Sequence, residues 1–338
     1  MSKDRLLAPY VRQFLLQDLL ADRNLSLNTQ RSYRDTIRLL LRFIHQNHST
    51  DPIRVTAEQV TADLVRNFLA YLENNRTNSV ATRNQRLAAI HSFCRFISRQ
   101  LPELLDQVRQ IQSIPLRRMV GPSIAYLEKE EIDALLATPD RSRPQGQRDY
   151  ALLLFLYNTG ARAGEVAHTT LGDLNLGPRP SVRILGKGGK TRLCPLWDHT
   201  SKVLRNLLGP RLEGSRDTPL FRNVRGQPMT RFGIHTLVKR TVAKVAQTAH
   251  SLREKRASPH TFRHTTAVHL LRSGVDINTI RAWLGHVSLE TTNRYAQVDL
   301  EMKAKALETC AVSQAHPKPK PTRVWRKDPD LLAFLNSL

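Results

Sequence analysis

Four short stretches in the second part of the chain carry residue types suited to handling phosphate charge and protons. In Thr159-Gly160-Ala161-Arg162-Ala163-Gly164-Glu165, Arg162 and Glu165 stand three apart, which places them together in the first turn of a helix. An arginine there can grip a phosphate with help from the helix N-terminus, although the same pair is also ordinary helix decoration. Gly186-Lys187-Gly188-Gly189-Lys190 is a basic turn whose Lys187 could offer a proton donor to a backbone oxygen, or could be a solvated tip. In His260-Thr261-Phe262-Arg263-His264, His260 and Arg263 face one ligand at i and i+3, the arginine for oxyanion charge and the histidine for proton transfer. The fourth stretch runs from Trp283-Leu284-Gly285-His286 to Thr291-Thr292-Asn293-Arg294-Tyr295, with Tyr295 nine residues after His286 in polar surroundings. A lone tyrosine in such a place is usually inert, so its meaning depends on the groups around it.

Two familiar alternatives each lack a residue they require. A nucleotide-binding P-loop ending at Gly189-Lys190-Thr191 requires a glycine where Ile184 stands. His260 and His264 have the i, i+4 spacing of a zinc pair, but the glutamate of the zinc-protease motif is missing and no third ligand is nearby, so no metal is expected.

These candidates must be held by a scaffold that is mainly α with a small β-hairpin, an α+β arrangement. Residues 6–114 are patterned as helix almost throughout. Tyr33, Ile37, Leu40, Leu41 and Ile44 recur at helical spacing, as do Leu87, Ile90, Phe93 and Ile97, and four or five helices are expected. Arg31, Arg34 and Arg38 fall on one stripe of the first of these helices, and Arg83 and Arg86 on one face of the second. Pro115, Gly121 and Pro122 then break the pattern, marking 115–126 as a linker. Helices resume over 127–136 and 148–157, the latter apolar on every side and so expected at the centre of a second domain. Ser181–Leu185 and 191–196 flank the glycine-rich turn as a hairpin, because those glycines supply the positive φ of a tight reversal. Helices are expected again over 231–248, 261–272, 277–284 and 299–308. From 316 to 321 proline alternates with lysine, and beyond it Leu331, Leu332, Phe334, Leu335 and Leu338 form an apolar stripe too short to fold alone.

The charge balance selects among functions for such a scaffold. The 338 residues include 52 Lys and Arg against 29 Asp and Glu, a net charge of +23 that points to a polyanion, most simply nucleic acid. With 40% hydrophobic residues the chain can bury a core in each of two domains, and its length suits two rather than one. The longest apolar run, residues 151–157, is far too short for a bilayer span, and Asp4 and Arg5 stand where a signal peptide would be apolar. No membrane partner is expected. Cys94, Cys194 and Cys310 are scattered and odd in number, which fits a reducing cytoplasm better than a disulfide framework.

The order Arg162, Lys187, His260-x-x-Arg263, Leu284-Gly285-His286, Tyr295 resembles the tyrosine recombinase, or phage integrase, family, and the resemblance extends over most of the chain. Thr29, Tyr33, Arg83 and Asn84 are similar to positions of the family's helical core-binding domain, expected here at 1–114. The catalytic domain is expected at 127–310 and a basic tether with a docking helix at 311–338. The resemblance implies that Tyr295 attacks the scissile phosphate of duplex DNA to give a 3′-phosphotyrosyl enzyme and a free 5′-hydroxyl. It implies that Arg162 and Arg263 neutralise the nonbridging oxygens, that Lys187 protonates the leaving oxygen, that His260 assists proton transfer, that His286 hydrogen-bonds the phosphate, and that no cofactor is needed. It further implies a DNA clamp and a homotetramer, alone or with related recombinases, exchanging strands through a Holliday junction; the two basic stripes, with Arg31, Arg34, Arg83 and Arg86, are expected on the duplex from their charge. Integration, excision, resolution and transposition of a mobile element all fit. A noncatalytic DNA-binding regulator and a type IB topoisomerase are the rival readings.

Overall fold

The computed structural model of the protein describes residues 5–48, 50–119, 125–255 and 257–285. The chain divides into two compact units, Met1–Pro122 and Ser123–Leu338. The expected helix at 299–308, the C-terminal apolar stripe, His286 and Tyr295 lie outside the described residues.

The first unit is helical: α1 (Leu7–Gln13) runs on as a π-helix over Phe14–Asp22, followed by α2 (Leu27–His48), α3 (Ala62–Asn74), α4 (Val80–Gln100) and α5 (Leu105–Gln112). Side-chain oxygens start two of them. Thr61 accepts from the Leu64 amide at the head of α3, and Ser79 from the Thr82 amide at the head of α4. The helical stripes read from the sequence close on an aromatic centre, where Phe14 packs against Phe93 and Phe96 at centroid distances of 5.1 and 5.5 Å.

The second unit is built around α7 (Pro144–Thr159), which follows α6 (Lys129–Ala137) and precedes the short α8 (Ala163–His168). Leu152, Leu153, Phe155 and Leu156 are fully buried, as expected of a helix apolar on all sides, and α7 packs against both α9 (Asp198–Leu208) and α12 (Pro259–Arg272). α9 escaped the sequence reading because it is strongly amphipathic but short, and its only fully buried apolar anchors are Leu204 and Leu208. α10 (Arg231–Val245), α11 (His250–Glu254) and α13 (Ile277–Leu284) complete the described helices.

The sheet contains one strand more than the expected hairpin. β1 (Leu174–Asn175) lies antiparallel to β2 (Ser181–Leu185), which pairs with β3 (Thr191–Pro195). Val182 stands opposite Cys194 and Ile184 opposite Arg192, so these four side chains share the inner face, while Leu185 and Leu193 are left exposed on the outer one.

Candidate active site

The site is assembled where α7 ends. Gly160 takes φ +59° and stops the helix; a Cβ at this position would lie 2.5 Å from Leu284 Cδ2, so glycine satisfies both the backbone and the packing. The chain turns at once into α8, with Arg162 at its N-cap and Glu165 three residues on. Glu165 folds back so that Oε2 accepts from the Arg162 amide at 2.9 Å and Oε1 from Arg162 Nη1 at 2.7 Å. The pair read as two residues of one helical turn is therefore a closed N-terminal box around a buried carboxylate.

A third group, which the sequence reading missed, completes that cluster. Arg192 of β3 is turned inward by its strand register, and its Nη2 donates to Glu165 Oε2 at 2.7 Å. Both partners are buried, with side-chain exposures of 8% and 7%. Burial alone would raise the Glu165 carboxyl, but hydrogen bonds and charge from Arg192 and then Arg162 outweigh it and hold the group below the usual carboxylate range. The only sequence signal for Arg192 was its parity with Cys194, and both faces of β3 carry an apolar residue, which hid the inward one.

α12 contributes the other pair. Ser258 caps it with Thr261 in a reciprocal box, and Pro259 occupies the first turn, where its missing N–H costs nothing. Arg263 is 1% exposed and spans two chain ends: Nη1 donates to the Gly160 carbonyl at 2.9 Å and Nη2 to the Leu284 carbonyl at 2.6 Å. His260 is exposed as a residue at the head of α12, and its ring centroid is 5.0 Å from that of His264. Partial desolvation, then the positive charge of Arg263 and Arg162, push the His260 imidazole below the ordinary histidine value. Those two charges make Arg162, His260 and Arg263 electrostatic neighbours, and His260 is biased toward the neutral form that can accept a proton.

Lys187 lies in the turn between β2 and β3, which closes through Gly186 N to the Lys190 carbonyl at 2.7 Å, with Gly188 and Gly189 both at φ +75°. Its side chain lies outside the described part, as do His286 and Tyr295. Among the described residues there is no cluster of three or more His, Cys, Asp or Glu able to hold a metal ion, and no helix is long and apolar enough to cross a membrane.

In the first unit, Arg31, Arg34 and Arg38 do line an exposed stripe of α2. Arg83 and Arg86 correct the expected second stripe. Arg83 is only 7% exposed, donates to the Pro115 carbonyl and Asn84 Oδ1, each at 3.2 Å, and lies 3.8 Å from Glu73 Oε1. Arg86 is half-buried and donates to the Ser32 carbonyl and Thr36 Oγ1. Both sit where α4 meets its neighbours, so their guanidinium groups serve packing in this unit rather than an open face.

Fold and site together give a mainly helical protein of two compact units whose second unit gathers Arg162, Arg192, Arg263 and His260 about the end of α7. Residues 125–302 match the phage integrase family and residues 11–100 the phage integrase N-terminal SAM-like domain. The chain belongs to the phage integrase family of tyrosine recombinases, enzymes that cleave and rejoin DNA strands. It is 39% identical over 338 residues to the putative integrase/recombinase y4rC of Sinorhizobium fredii, covering 100% of both chains. It is 33% identical over 314 residues to the tyrosine recombinase XerC of Pelobacter propionicus, covering 91% of this chain and 95% of the relative. The fold is similar to that of the XerH site-specific recombinase in a post-cleavage complex with its palindromic difH substrate, with TM-score 0.66, 22% identity and coverage of 85% and 81%. It is also similar to the Tn1549 transposon integrase in complex with circular intermediate DNA, with TM-score 0.68, 17% identity and coverage of 90% and 99%.

Proposed function

We propose that this protein is a site-specific recombinase of a mobile element, cutting and rejoining duplex DNA through a 3′-phosphotyrosyl intermediate at Tyr295 and a Holliday junction. The observation that carries the reading is the convergence of Arg162, His260 and Arg263, from two helix starts, at the end of α7. Fixed positive charge of this kind stabilises the pentacoordinate phosphorane as it forms, the task a divalent metal performs in other phosphoryl-transfer enzymes. Arg162 is paired with Glu165 through a side chain that is 39% exposed, and that exposure supports its reaching a nonbridging oxygen when DNA is bound. A neutral His260 suits proton exchange with the Tyr295 hydroxyl. Lys187 protonates the leaving 5′-oxygen, and His286 hydrogen-bonds the scissile phosphate. Balance is kept because the phosphodiester energy is stored in the tyrosyl ester and returned when a 5′-hydroxyl attacks it.

The complexes of XerH with its difH substrate and of the Tn1549 transposon integrase with circular intermediate DNA support duplex DNA as the partner and movement of an element as the outcome. A homotetramer on DNA follows from two pairs of strand exchanges, with residues 311–338 docking on a neighbouring protomer. Deleting 317–338 is expected to spare DNA binding and to impair recombination.

The test is to incubate the wild type and Tyr295→Phe with DNA flanking the protein's own gene and look for detergent-resistant adducts. An adduct with the wild type only supports the reading. Binding with no adduct in either favours a DNA-binding regulator, and relaxation of supercoiled DNA without exchange between sites favours a topoisomerase.

A further inference from the structure

Glu165 is a buried carboxylate shared by two arginines that differ in freedom. Arg162 binds Oε1 with a side chain 39% exposed, whereas Arg192 binds Oε2 with one only 8% exposed. Arg192 is also confined on two sides. A Cβ on Gly285 would lie 3.1 Å from its Cδ, and one on Gly186 would lie 3.6 Å from both its Nη1 and Glu165 Oε1. These glycines immediately precede His286 and Lys187 in the chain. Arg192 Nε is buried and has no hydrogen-bond partner among the described residues, so the side chain is held in a place that does not satisfy its own bonding.

We propose that Arg192 is a positioning residue for strand cleavage: it retains the Glu165 carboxylate so that Arg162 can turn to the scissile phosphate without leaving a buried charge unpaired. The physical reason is that a buried carboxylate stripped of its only cation is strongly disfavoured, so without Arg192 the carboxylate holds Arg162 with both oxygens. With Arg192 present, Glu165 stays compensated while Arg162 moves. The inference rests on the proposed recombinase reading for the role of Arg162, but its central prediction concerns Arg162 mobility and is read without DNA.

The experiment measures the rate at which phenylglyoxal labels Arg162, mapped by mass spectrometry, in wild type, Arg192→Gln and Arg192→Gln with Glu165→Gln. Labelling of Arg162 should slow severalfold in Arg192→Gln and return to the wild-type rate or above it in the double variant. A role confined to fold stability moves Arg162 in the opposite direction, toward faster labelling, and unchanged or faster labelling in a folded Arg192→Gln protein overturns the proposal. Should that variant not fold, Arg192→Lys carries the same test, since one ammonium makes a poorer hold on Oε2, and slowed labelling is again required. In parallel, adduct formation on DNA should fall about 100-fold in Arg192→Gln, the scale of a small misplacement of a reacting group, and recover in part in the double variant. A wild type that makes no adduct on DNA it binds would sink the recombinase reading, while the labelling result would still decide whether Arg192 sets the freedom of Arg162.

Discussion

Arg263 Nη2 donates to the Leu284 carbonyl across 2.6 Å, joining the first half of α12 to the last residue of α13. Its Nη1 holds the Gly160 carbonyl at the end of α7, so a single buried guanidinium pins three helices at the point where the candidate groups converge. The same side chain is thus a strut of the fold and, in the proposed reaction, a cation that neutralises oxyanion charge.

Arg263→Ala should therefore cost stability as well as activity. Losing a buried charged donor and stranding two carbonyls is worth about 3–5 kcal/mol, which urea unfolding would register. Arg263→Lys should lose less, because it keeps the charge but cannot bridge both carbonyls. A change below about 1 kcal/mol for the alanine variant, the size of one ordinary hydrogen bond, would show that Arg263 is not a strut.

Gly160→Ala tests the joint from the backbone. A side chain at φ +59° costs about 1–2 kcal/mol, and the added methyl meets Leu284 Cδ2 at 2.5 Å. The single variant should melt below the wild type, and adding Leu284→Ala should not restore it fully, since the strain in φ remains. Full recovery would place the whole effect in the side-chain clash.

His260 should titrate below the ordinary histidine value of 6.5, with its desolvation and the charges of Arg263 and Arg162 as the causes. An NMR titration measures this directly, and Arg162→Ala should move the midpoint upward by removing one like charge. No movement would mean that the two side chains are not neighbours. The sign for stability follows from the depressed value: the imidazolium is disfavoured in the folded state, so the contribution is complete above 6.5 and is lost as pH falls through the lower, folded value. The half-buried His269, depressed mainly by burial and then by Arg272, adds to the same trend, and the protein should melt at a lower temperature on the acid side of this window.

Arg34 and Arg83 should separate by phenotype. Arg34 is 58% exposed and paired with the neighbouring Asp35, so Arg34→Ala should leave stability within about 0.5 kcal/mol while weakening DNA binding and flattening its salt dependence. Arg83 is buried against Glu73, Asn84 and Pro115, so Arg83→Ala should lower the unfolding midpoint. An unfolding curve unchanged for Arg83→Ala would return it to the set of surface arginines.

Local features of the sequence determined much of this protein. The central helix was legible because its 148–157 stretch is apolar all round, the hairpin because its glycines permit positive φ, and the catalytic candidates because Arg162 with Glu165 and His260 with Arg263 stand three residues apart, on one face of a helical turn. Those signals act over one or two turns of chain, where steric and hydrogen-bonding rules operate directly. Tertiary structure decided what depends on residues far apart in sequence. Arg83 carries the same charge as Arg34, but the packing of α4 against its neighbours buries one and leaves the other in solvent. Arg192 turns inward through strand register, a parity that a five-residue strand with a leucine on its outer face does not announce. The carbonyls of Gly160 and Leu284 meet Arg263 across 103 and 21 residues, because a buried guanidinium must find acceptors wherever the fold brings them.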